Sequence, residues 1–274
     1  MNTDLKKAAD SWVTAKWYLD RLISVIPDDG GLYADRAQVF EELGKSEERA
    51  ADLDMVIRHG TDPFVLLEIC NEIAEQRDWS KVVQIYERAT GLAAIPLVDW
   101  YQYGLALVRT GDTESYRAAC ESLMGSLADR ELPASTVSLL AWMCAIGPSN
   151  SPEANKAITL AERLLTATPL GVNTQRYAVL NTLGALHLRS GDPDRAVVRL
   201  NEGLLANSNG GDLTNWALLA IAHYQLDNKD DAEKWLEKAE AVDLNAVSDV
   251  WEQLEKELFL HEAQGVLGAD QHKR

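Results

Sequence analysis

His187 and His223 are the side chains best suited to acid–base or metal chemistry, and they stand 36 residues apart in matching contexts, each three residues after a small residue, Gly184 or Ala220. Either role requires carboxylates or further nitrogen and sulfur ligands to converge on the imidazole. Phe40 occupies the corresponding slot after Ala37, so the reading adopted is that each histidine replaces an aromatic packed between helices. A second feature is the acidic stretch 227–257, with eleven carboxylates against Lys229, Lys234, Lys238 and Lys256. It reads as a solvated outer helix face, with a docking face around Asp230 and Glu237 for a basic partner as the alternative. The three cysteines, Cys70, Cys120 and Cys144, lack paired spacing for zinc or disulfides and read as interface fillers in a reducing compartment. The sequence contains no phosphate-binding glycine loop, H-E-x-x-H, G-x-S-x-G or kinase catalytic-loop motif. The expectation is a non-enzyme with no cofactor and no metal.

Charge narrows the partner class further. With 26 Lys+Arg against 43 Asp+Glu, the net charge of −17 repels polyanions and anionic membrane surfaces and excludes a nucleic-acid binder without a local basic patch, of which there is none. The longest apolar run, Leu139 to Ile146, is too short to cross a bilayer, and no apolar stretch follows the N-terminal lysines Lys6 and Lys7. A cytoplasmic, membrane-free protein is expected.

The elements that position these residues are repeated. Ala37, Cys70, Gly104, Ala141, Gly184 and Ala220 recur at intervals of 33, 34, 37, 43 and 36 residues. A large residue precedes each by four: Tyr33, Leu66, Trp100, Val137, Leu180 and Trp216. A second series follows, usually twelve residues later: Ala50, Val82, Tyr116, Ala157, Ala196 and Ala232. Between the series fall turn signals such as Gly44, Asp78, Gly111-Asp112, Gly191-Asp192-Pro193 and Asp227-Asn228. Each unit is therefore helix, tight turn, helix, with small residues where two helices cross closely. The period is near the roughly 34 residues of a tetratricopeptide repeat.

The segments LNTLGALHLRSGDPDRAVVRLNEGL (180–204), WALLAIAHYQLDNKDDAEKWLEKA (216–239), LLAWMCAIGPSN (139–150), GDTESYRAAC (111–120) and DVWEQLEKELFLHEAQGVLG (249–268) resemble tetratricopeptide-repeat proteins. More narrowly, they resemble the repeat regions that follow bacterial serine/threonine kinase domains or WD-repeat propellers. The resemblance implies an all-α solenoid, a right-handed superhelix of about fourteen helices in antiparallel pairs. Residues 1–268 would form that solenoid: an N-terminal half repeat 1–29, repeats 30–62, 63–96, 97–133, 134–176, 177–212 and 213–246, and a capping helix 247–268, with 269–274 as a tail. The cap is expected to lay Trp251, Leu254, Leu258 and Leu260 or His261 on the sixth repeat.

In tetratricopeptide proteins the first helix of each unit lines a concave groove, at positions three before, one after and four after the small residue. The resemblance therefore places Gln38, Asn71, Tyr101, Trp142, Asn181 and Tyr224 in the groove as partner-binding residues, with ordinary packing as the alternative for Trp142. None of the inward positions is Lys or Arg, so the lysine-bearing clamp that grips acidic C-termini is not matched. The function implied is a protein-interaction scaffold for an apolar or basic peptide or helix, beside a fused or associated serine/threonine kinase. The alternatives are ligand-binding or enzymatic use of the concave cleft, or a structural oligomerisation module.

Overall fold

The computed structural model describes residues 3–127, 132–147, 152–167 and 174–268. The turn from Gly147 to Pro152 and the connector from Pro169 to Gln175, which widen the fourth sequence unit, lie largely outside these residues, as does the tail 269–274. Among the described residues the chain is all-α, with fourteen α-helices, one 3-10 turn and no strand. They fall into two compact units, residues 1–99 and 100–274.

The first unit contains α1 (Thr3–Val25), α2 (Gly30–Glu42), α3 (Ser46–His59), α4 (Pro63–Glu75) and α5 (Trp79–Leu92). The helices α2 with α3, and α4 with α5, pack as pairs, and α1 lies on α2. Arginines tie these helices together. Arg36 on α2 grips Asp52 on α3 through two bonds of 2.8 and 2.7 Å and reaches Asp20 on α1 at 2.8 Å. Arg49 on α3 donates twice to Glu72 on α4. Asp52 is 3% exposed, which a carboxylate tolerates only when bonded to such a fork. The far side of α1 is left apolar and exposed, with Val13, Trp17, Tyr18, Leu22, Val25 and Ile26 on its surface.

The second unit contains most of α6 (Leu97–Thr110), then α7 (Thr113–Leu127), α8 (Ala134–Ile146), α9 (Pro152–Ala167), α10 (Thr174–Arg189), α11 (Pro193–Ala206), α12 (Leu213–Gln225), α13 (Lys229–Glu240) and α14 (Val250–Gly268). The helices α8 with α9, α10 with α11, and α12 with α13 pair, and α9 and α11 each also meet the first helix of the next pair. Helix starts are set by aspartates. Asp29, Asp62, Asp78, Asp192 and Asp212 each accept a backbone N–H from the first turn, a cap worth about 1 kcal/mol.

Among the described residues, five tight links between successive helices are each closed by one residue in the left-handed region: Gly44, Arg77, Gly111, Gly191 and Asp227. The next residue's N–H then reaches five residues back, as Lys45 does to Phe40 (2.8 Å) and Asp192 to His187 (2.9 Å). Arg77 and Asp227 show that this geometry outlasts the loss of the glycine that favours it.

Most of the small-residue series is buried, but Ala50 is exposed. The buried stripe of α3 runs through Asp52, Leu53, Val56 and Ile57 instead, following the ion pair to Arg36. Close approach is also uneven. A Cβ on Gly184 would lie 2.4 Å from Leu200 Cγ on α11, whereas one on Gly203 would meet nothing nearer than 3.5 Å. Gly184→Ala is therefore expected to destabilise by about 1–3 kcal/mol through overpacking, with Gly203→Ala near neutral. Urea unfolding of both variants checks this, and equal midpoints would place the tight crossing elsewhere.

Candidate functional site

Two carboxylates that the sequence reading assigned to solvent or left unremarked, Glu255 and Glu262, organise the second unit's most constructed region. Helix α14 packs chiefly along α12, with a smaller contact to α13. It buries Val250, Trp251, Leu254, Phe259, Ala263 and Leu267. Leu258 and Leu260 are only partly buried and His261 is exposed, so the helix is rotated from the expected capping face towards Phe259. The rotation has a visible cause, since the Phe259 ring stacks on Trp142 of α8 with centroids 5.4 Å apart and planes 30° apart.

Glu255, one turn before Phe259, lies on the same side of α14. Its Oε2 accepts the Trp142 indole N–H at 2.7 Å and the hydroxyl of Tyr101 on α6. Tyr101 and Trp142, two of the inward positions in the sequence reading, are thus brought together on one carboxylate from their own chain. Burial pushes the Glu255 carboxyl above its ordinary range; the two donated bonds pull it back, and Asp212 and Glu252 push it up again. Burial, reinforced by Glu255, likewise raises the Tyr101 hydroxyl.

Two turns beyond Glu255, Glu262 takes a bidentate grip from Arg189, the last residue of α10. Arg189 is 5% exposed. Its Nε donates to Ala145 O at 2.9 Å and its Nη2 to Ile146 O at 3.2 Å. The same guanidinium therefore satisfies carbonyls that the end of α8 leaves without helical partners. Sequence reading found no cation among the inward positions and missed Arg189, which lies five residues after Gly184.

Beside this seat a cavity of about 470 Å³ opens between α8, α10, α12 and α14. Leu139, Trp142, Tyr177 and Ala178 form its apolar wall, with the hydroxyls of Ser135, Ser138, Thr174, Thr182 and Thr214 around it. Its charged lining is Asp212, Glu252, Glu255 and Lys256, and Lys256 is already paired with Glu252. Asn181, another inward position, is held here by a buried chain of bonds. Its Oδ1 accepts Asn215 Nδ2 at 2.6 Å, Asn215 also donates to Leu200 O at 3.3 Å, and Asn181 Nδ2 makes a long 3.5 Å contact to the Tyr177 hydroxyl. Burial, and after it the nearby Asp212 carboxylate, raises the Tyr177 hydroxyl above its ordinary range.

The other sequence candidates stand apart from this cavity. Tyr224 is half-buried near the end of α12 and does not line it. Gln38 and Asn71 lie exposed in the first unit, where Gln38 borders a separate cavity of about 390 Å³ with Glu41, Glu68 and Glu72. His187 is buried, and that burial lowers its imidazole pKa. His223 buries an Nδ1 without a hydrogen-bond partner among the described residues. Among those residues no three potential ligands cluster around a metal position. Asp230 and Glu237 are exposed, as a solvated face requires. The cysteines Cys70, Cys120 and Cys144 are buried free thiols.

Helix pairs joined by a left-handed turn residue, repeated at the spacing of the sequence series, decide the architecture. Its fold is that of a tetratricopeptide repeat. No family model and no curated protein matches the chain. Among solved structures it is similar to a tetratricopeptide repeat protein from Parabacteroides merdae, at 13% identity and a TM-score of 0.48, covering 94% of this chain and 98% of that one. It is also similar to PilW, a type IV pilus biogenesis factor, at 13% identity and a TM-score of 0.46, covering 82% and 98%. A third likeness, to a chain of the Cut9–Hcn1 hetero-tetramer, has 15% identity and a TM-score of 0.44, covering 93% of this chain and 48% of that one. No helix among the described residues is long and apolar enough to cross a membrane.

Two variants test how α14 is held. Arg189→Met leaves Glu262 without its guanidinium and the α8 carbonyls without donors, and should cost about 3–5 kcal/mol. Adding Glu262→Leu should recover part of that loss in a double-mutant cycle. Glu255 behaves oppositely. Its folded pKa is raised, so the folded chain holds this proton more tightly than the unfolded chain and its contribution to stability falls as pH rises through the folded value. Glu255→Gln keeps an acceptor for Tyr101 and Trp142 but removes the charge. Its melting temperature should equal or exceed that of the parent at pH 8, and the advantage should vanish by pH 4; a variant that is less stable at pH 8 alone would reverse the sign.

Proposed function

We propose that this chain is a non-catalytic protein-interaction scaffold that seats a peptide or helix of a partner protein against the first helices of its repeats. The carrying observation is α14 itself. Tyr101 and Trp142 hold a helix through two hydrogen bonds and an aromatic stack, which is the chemistry of a helix laid in a groove. Because α14 occupies that part of the face, a partner has the cavity wall of Trp142, Tyr177 and Asn181 and, apart from it, Tyr224 in the second unit, and Gln38 and Asn71 in the first. The partner is apolar or basic and not recognised through a free carboxylate, since Glu255, Asp212 and Glu252 face the open cavity and the chain carries a charge of −17. The reading adds a regulatory or recruitment role in bacterial signalling, beside a fused or associated serine/threonine kinase, supported by the resemblance of the quoted segments to kinase- and propeller-associated repeats. The cavity also supports a second reading, use of the cleft for a small ligand.

Tyr101 and Asn181 are tied into the fold, so their replacement would confuse binding with stability. Photo-crosslinking residues placed at Ser138 and Gln38, and as controls at Asp230 and Glu237 on α13, separate the two in cells. Crosslinks to a common protein partner are expected from Ser138 or Gln38. Crosslinks from Asp230 and Glu237 alone would move the site to the acidic face of α13.

A further inference from the structure

We propose that the cavity between α8, α10, α12 and α14 is a socket for an arginine side chain of the protein partner. This deepens the scaffold reading and rests on it. The central observation is the charge state of the cavity wall. Glu255 spends one oxygen on two neutral donors, Tyr101 and Trp142, while Oε1 receives no donor from the described residues, and no cation pairs with the carboxylate. Asp212 and Glu252 stand close enough for their charges to act on it. Lys256, the single basic group on the wall, is engaged by Glu252. A half-buried carboxylate lining a cavity beside the charges of Asp212 and Glu252 is stabilised most by an incoming cation.

The rest of the lining selects the kind of cation. Leu139, Trp142 and Tyr177 offer an apolar and aromatic wall, suited to an aliphatic stem and to a cation lying against a ring. A guanidinium is flat, weakly hydrated and carries donors in a fork that can serve two carboxylates at once, so it enters such a space at lower desolvation cost than an ammonium. The second unit already uses this chemistry internally, where Arg189 serves Glu262 and two backbone carbonyls together.

The test uses the intact chain and three blocked tripeptides, acetyl-Gly-Xaa-Gly-amide with arginine, lysine or citrulline at Xaa, in calorimetric titrations at low salt. The arginine peptide should bind at least about tenfold more tightly than the citrulline peptide, which has the same shape without the charge, with lysine between them. It should also shift the indole N–H resonance of Trp142. Glu255→Gln, which retains the hydrogen bonds to Tyr101 and Trp142, should lower arginine-peptide affinity about tenfold or more without lowering the melting temperature. Absence of arginine-peptide binding, equal binding of citrulline, or unchanged affinity in Glu255→Gln overturns the socket, and lysine binding as tightly as arginine overturns the choice of a guanidinium. If partner crosslinking from Ser138 persists under any of these outcomes, the scaffold reading stands and only the arginine socket falls.

Discussion

The second unit depends on one buried guanidinium. Arg189 ends α10, closes the carbonyl end of α8 and holds Glu262 of α14, so a single side chain joins three helices. A charge 5% exposed is tolerable only with most of its donors engaged, and Arg189 meets that condition through one carboxylate and two carbonyls. Because its fork fits one arrangement of these acceptors, it specifies how α14 lies as well as holding it down. Glu255, reaching Tyr101 and Trp142, and Phe259, stacked on Trp142, become possible once the helix is set at that rotation.

This arrangement changes what the repeat face offers. An open groove of aromatic and polar positions would accept a range of extended or helical segments, whereas here the chain's own last helix occupies part of the face. What remains beside it is a defined cavity with an apolar wall on one side and carboxylates on the other. Burying Glu255 opposite neutral donors costs stability that a fully apolar contact would not, and it leaves three carboxylates, Asp212, Glu252 and Glu255, against one lysine on the cavity wall. The long-range charge of the whole chain has the same sign, so attraction at a distance and at contact favour the same class of partner.

The first unit uses charge differently. Two of its arginines, Arg36 and Arg49, are paired across successive helices with Asp20, Asp52 and Glu72. They act as struts between neighbours, and the ion pair to Asp52 turns α3 so that Ala50, nominally an interface position, faces solvent. In both units a guanidinium fixes the rotation of a helix whose apolar stripe alone leaves it loosely determined.

The sequence was sufficient for the features whose causes are local. Repeat spacing, the small residues at Ala37, Gly184 and Ala220, the aspartate caps and the turn residues Gly44, Gly111, Gly191 and Asp227 each act within one helix pair, and each is legible from residue type and interval. The inward slots of Tyr101 and Trp142 came from the resemblance to tetratricopeptide repeats, and their shared contact with Glu255 is a tertiary feature. The seat of α14 was not legible. Glu255 and Glu262 fall within the apolar arc marked by Leu254, Phe259 and Ala263, a signal available in the spacing, but they also sit in or beside an acidic stretch that reads as a solvated surface. Only tertiary packing decided between the two, because a helix with so broad an apolar arc can be laid down at several rotations, and Arg189, Trp142 and Tyr101, distant in sequence, supply the donors that select one.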